Sequence, residues 1–120
     1  MVIPNIEKMR VDTAKIIADW GQSLTIKRYS QAKGSFGQDA GTWQIVQQSG
    51  QNTIDGVVNP TGGTLTAQVK GQQVTINYLV TLPYNADVEP ADRIYLDASN
   101  FCVAEVADKH PDRIEVLAKD

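Results

Sequence analysis

Gln73-Val74-Thr75-Ile76-Asn77-Tyr78-Leu79-Val80-Thr81-Leu82 places Val74, Ile76, Tyr78, Val80 and Leu82 on one face of an extended chain. That period of two is the mark of a strand with one buried side. The same reading extends to both sides of this segment. Toward the N-terminus, Leu24 and Ile26 alternate with Thr25 and Lys27, and Trp43–Gln48 and Thr53–Val58 read as two further strands. Ser49-Gly50-Gln51-Asn52 offers these two a hairpin turn. Toward the C-terminus, Arg93–Leu96, Phe101–Val106 and Arg113–Leu117 complete about seven strands.

The segment before the strands has a different period. Ile6, Met9, Thr13, Ile16, Ile17 and Trp20 recur at helical spacing, with Glu7, Lys8, Asp12, Lys15 and Asp19 elsewhere on the cylinder. A helix over residues 5–20 is expected, with Asn5 as N-cap and Gly21 as the stop, since glycine tolerates a left-handed conformation. Its apolar side would cover the open end of the strand layer or pack on a neighbouring chain, and Met9, Ile16 and Trp20 would then be contact anchors. Residues 30–41 and 59–72 are loops by composition, although Thr64–Val69 also suits a short strand or an extended arm. One helix followed by short strands predicts a mainly β fold, a small antiparallel barrel or sandwich with an N-terminal helix, within a single domain spanning 1–120.

The chain has 120 residues, 42% hydrophobic and 21% charged, an ordinary composition for a globular domain. No apolar run is long enough to span a membrane, and the N-terminus does not read as a signal peptide. The net charge of -3 argues against a nucleic-acid binder that works through a strongly basic face. Charge is unevenly spread. Between residues 41 and 84 the charged side chains are Asp55 and Lys70, while residues 85–120 are strongly acidic. Cys102 lies in Phe101-Cys102-Val103-Ala104 and reads as a small core hydrophobe.

Chemistry-bearing motifs are sparse, so no enzymatic activity, metal or cofactor is expected. Asp108, His110 and Asp112 could offer a metal ligands, but they fall in a stretch of turn-forming residues around Pro111. Asp87, Glu89 and Asp92 could do acid–base work and read more simply as a solvated acidic loop. Lys27-Arg28-Tyr29 with Lys33 is a small basic patch and reads as an exposed strand end. Pro90-Ala91-Asp92-Arg93-Ile94 is echoed by Pro111-Asp112-Arg113-Ile114, which reads as two strand entries in which the isoleucine starts the buried alternation.

The order of these features resembles the head–tail joining proteins, the head-closure or stopper proteins, of long-tailed bacteriophages. The resemblance runs through Leu24-Thr25-Ile26, Gly41-Thr42-Trp43, Ile54-Asp55-Gly56-Val57-Val58, the long Val74–Leu82 strand, Glu89-Pro90-Ala91-Asp92-Arg93-Ile94 and Arg113-Ile114-Glu115-Val116-Leu117. It implies a structural protein of the virion neck, assembled in the host cytoplasm. Its partners would be copies of itself in a sixfold or twelvefold ring, the portal or adaptor protein on the head side, and a tail protein on the other. Genomic DNA would pass through without sequence-specific binding, and no membrane would be involved. The resemblance makes Thr61, Gly62, Gly63, Thr64, Thr66, Gln68 and Lys70 candidates for a channel loop. Met9, Ile16, Trp20, Asp92 and Arg93 are candidates for partner contacts. A tail terminator, a minor tail protein or a small β-sheet binding module are the alternatives.

Overall fold

The computed structural model describes residues 6–33 and 39–120. The helix α1 (Ile6–Trp20) is followed by β1 (Gln22–Lys33), β2 (Asp39–Ile45), β3 (Ile54–Val69), β4 (Gln72–Pro83), β5 (Arg93–Tyr95), β6 (Phe101–Lys109) and β7 (Arg113–Lys119). All strand pairings are antiparallel. Six strands close on themselves in the order β1-β3-β4-β7-β6-β5 and back to β1. Closure works because β1 spends Gln22–Leu24 on β3 and Thr25–Lys27 on β5. The result is the expected mainly β barrel with an N-terminal helix. A closed ring leaves these six strands without a long free edge.

The barrel interior follows the alternation in the sequence. Leu24, Ile26, Val80, Leu82, Ile94, Cys102, Ile114 and Val116 pack into one cluster, each at most 1% exposed. Both copies of the echoed motif behave as strand entries, since Ile94 and Ile114 begin the buried rows of β5 and β7. Cys102 is buried as expected, and burial pushes its thiol up to about 11. Gly56 is required by contact. A Cβ there would lie 2.7 Å from Leu82 Cδ2 and 2.9 Å from Leu24 Cδ1.

Several expectations are corrected. Residues 59–72 belong to a two-stranded arm of β3 and β4, so the strand or arm reading of Thr64–Val69 holds and the loop reading of the rest does not. The register slips between Pro60 and Leu65, and the arm turns through Lys70 and Gly71, at φ 51° and 78°. Positive φ at both central residues is the geometry of a type I′ turn, whose twist matches the flanking strands. Residues 30–33 and 39–41 likewise belong to β1 and β2, while 34–38 of the expected 30–41 loop lie outside the described residues. The turn at 49–52 does not join β2 to β3 as a hairpin. Gln48 and Gln51 form an isolated bridge, and each of the two strands pairs with β1 instead. Gly21 ends α1 by donating its amide to Ile17 O at 2.7 Å, without a left-handed φ. What requires glycine is close approach, since a Cβ would sit 2.2 Å from that same oxygen. Asn5, the expected N-cap, lies outside the described residues.

The two extended hairpins lengthen the molecule to 60 × 35 × 32 Å, with a radius of gyration of 15.9 Å. A compact chain of this length would have a radius of about 14 Å.

Candidate functional site

The segment between β4 and β5 is held by an ion cluster. Arg28 on β1 donates Nε to Asp92 Oδ1 at 3.0 Å and Nη2 to Asp92 Oδ2 at 2.9 Å. It also donates Nη2 to Asp87 at 3.0 Å and stands 3.6 Å from Glu89. The Glu89 amide donates to Asp92 Oδ2 at 2.8 Å. These carboxylates hold the Arg28 guanidinium well above its ordinary value, the bond to Asp92 contributing most. Gln48 braces the same segment, its side chain bonding both the carbonyl and the amide of Asp87 at 2.7 Å. The acidic trio is therefore an anchor for Arg28. Asp92, proposed as a partner contact, is 2% exposed and already saturated. The sequence shows both halves of this cluster, but nothing in it pairs residue 28 with residue 92.

Arg93 points the other way. Its guanidinium lies 3.9 Å from the ring centre of Trp43 and 4.4 Å from that of Phe101. Tyr29 meets Trp43 edge-on at 5.5 Å, and Lys27 lies 4.6 Å over Tyr95. Strand alternation explains the cluster: Ile26 and Ile94 face inward, so Lys27, Tyr29, Arg93 and Tyr95 face outward. The sequence marks Arg93 but not its aromatic neighbours Trp43 and Phe101, which come from two other strands, β2 and β6.

The helix is only lightly attached. Thr13 and Ile17 are buried, whereas Met9, Ile16 and Trp20 are 40%, 54% and 79% exposed. Arg10 fastens it by donating Nε to Pro111 O at 2.9 Å and by stacking on Tyr84 at 3.7 Å. A cavity of about 340 Å³ between Met9, Thr13 and Ile16 on the helix and Thr81 and Arg113 on the barrel marks how little of the apolar side is covered. The helix therefore buries Thr13 and Ile17 on its own barrel and leaves Met9, Ile16 and Trp20 exposed.

The candidate channel residues all lie on the arm. Thr61, Gly62, Gly63 and Thr64 fall in the slip of register, where the Thr61 hydroxyl donates to Ile76 O. Thr66 and Gln68 are exposed along β3, and Lys70 is at the tip. The tip residues Val69, Lys70 and Gln72 line a hollow of about 300 Å³ with Pro90, Ala91 and Val103. Glu105 sits at the register slip of β6 and is paired with Lys119 at 3.0 Å. Asp112 is taken by Arg113 at 2.8 Å, which leaves Asp108 and His110 without it. Among the described residues no three His, Cys, Asp or Glu side chains converge as a metal site, and no helix is long and apolar enough to cross a membrane.

No protein-family model and no curated protein matches the chain. Among solved structures, its fold is similar to that of the xkdH protein of the phage-like element PBSX from Bacillus subtilis. The match has a TM-score of 0.50 and 16% sequence identity, and covers 82% of this chain and 94% of that one. At that identity the likeness bears on the fold alone.

Proposed function

We propose that the chain is a structural protein of a tailed-phage virion, a ring subunit of the neck that joins the DNA-filled head to the tail and helps retain packaged DNA. The observation that carries this reading is the match in fold to a protein of a phage-like element over nearly all of that protein's length. In this reading the work is done by surfaces, with no covalent step. The helix presents unburied apolar side chains for contact with a portal or adaptor, a tail protein or another copy. The β3–β4 arm supplies the channel-facing element, and from residue 56 to residue 86 its only charged side chain is Lys70. A nearly uncharged arm suits a channel that DNA must traverse, because each Lys–phosphate contact adds salt-dependent grip.

The test is electron microscopy of lysates from a phage lacking this gene. Tails of normal length beside tailless, emptied heads support head closure. Tails of irregular length move the chain to a tail terminator. Intact, infectious particles refute both ring roles.

A further inference from the structure

We propose that the outward face of β1, β2 and β5 is a docking site for the helix of a second copy of this chain, a head-to-tail contact. The inference rests on the ring reading above and supplies its two surfaces. Lys27 and Arg93 stand directly opposite each other in the β1–β5 register. Like charges in that position destabilise a sheet, whereas a carboxylate beside them would stabilise it. Here neither forms an ion pair with any described residue, while Arg10, Arg28 and Arg113 each have an oxygen acceptor. Asp97 lines the same hollow as Lys27 but turns its carboxylate into its own loop, accepting from the Ser99 and Asn100 amides at 2.8 Å. Arg93 lies against two rings, and its N–H groups donate to no side chain or carbonyl among the described residues. The face is thus a pair of ring-stacked cations flanked by exposed Tyr29 and Ile45, at 47% and 44%.

The helix supplies the opposite. Asp12 and Asp19 lie two turns apart beside Met9, Ile16 and Trp20, with Lys8 and Lys15 one turn before them and farther round from the apolar side. Apolar anchors edged by carboxylates fit an apolar face carrying two unspent cations. The two patches are different and sit on one chain, so the contact is heterologous and can repeat until it closes. A phosphate backbone is the lesser fit, because two cations on a chain of net charge -3 make a poor nucleic-acid footprint.

Two charge-reversed variants test this by sedimentation: Lys27→Glu with Arg93→Glu, and Asp12→Lys with Asp19→Lys. Each alone should lose the self-association of the unmodified chain, because its two patches then carry like charge. An equimolar mixture should regain it, since each reversed patch meets its complement on the other variant. Thermal melting checks that both fold, and the exposed helix positions keep the test valid if the sheet variant does not. Self-association unaffected by either reversal overturns this interface and leaves the ring reading standing. An unmodified chain that remains monomeric at its highest soluble concentration also overturns the interface, and the neck role is then decided by the lysates. Loss of retention on a short DNA duplex by Lys27→Glu with Arg93→Glu, with self-association intact, would reassign the face to phosphate.

Discussion

Arg28→Met tests whether the ion cluster holds the β4–β5 segment. The substitution keeps the aliphatic stem and removes the guanidinium that makes two of the three bonds to Asp92, at 3.0 and 2.9 Å. Asp92 is 2% exposed and would keep only the Glu89 amide at 2.8 Å. Breaking a buried pair by removing one partner costs about 3–5 kcal/mol, because the remaining charge stays uncompensated. At about 4 °C per kcal/mol for a domain of this size, the melting temperature should fall by roughly 12–20 °C. Adding Asp92→Asn to Arg28→Met should recover part of the loss, since a neutral amide is cheaper to bury. Asp87→Ala should cost no more than about 1 kcal/mol, because its side chain is 56% exposed. Urea titration of the four proteins measures the set. An Arg28→Met loss under about 1 kcal/mol, within the range of a surface pair, would refute the anchor.

Gly56→Ala should cost about 1–3 kcal/mol by denaturant titration, because its methyl would press on Leu82 and Leu24. Cys102 should resist alkylation in the folded chain and react once unfolded, since burial both hides the thiol and pushes it up to about 11. Hydrogen bonds from Asn100 and Ser99 lower Asp97 to about 2. A carboxylate lowered in the folded state contributes stability above its unfolded value, near 4, and loses it as pH falls through the folded one. The Ser99 and Asn100 amide signals should therefore titrate near pH 2, and a midpoint near 4 would contradict the turn.

The barrel strands β1, β4, β6 and β7 were legible because a period of two in the sequence is matched by burial, from Leu24 and Ile26 to Ile114 and Val116. Thr64–Val69 suits a strand or an extended arm and is one, but its continuity with the strand before it is hidden because Pro60, Gly62 and Gly63 are loop-forming residues. They mark a slip of register within a longer strand, after which Lys70-Gly71 reverses the chain. Composition reports that the backbone is irregular there, but not that pairing resumes beyond it. The helix period holds, and amphipathic spacing shows which side is apolar; only the packing shows that Thr13 and Ile17 are covered by the barrel while Met9, Ile16 and Trp20 are not. The Arg28–Asp92 and Arg93–Trp43 contacts join parts of the chain far apart in sequence, so their chemistry became visible only once the strands had paired.

The most direct measurement is the position of this chain in the intact virion of the phage that encodes it, read by electron microscopy with a gold-labelled antibody. Label confined to the junction between head and tail is the predicted result. Label along the tail or at its far tip, or none on the particle, would contradict a neck protein.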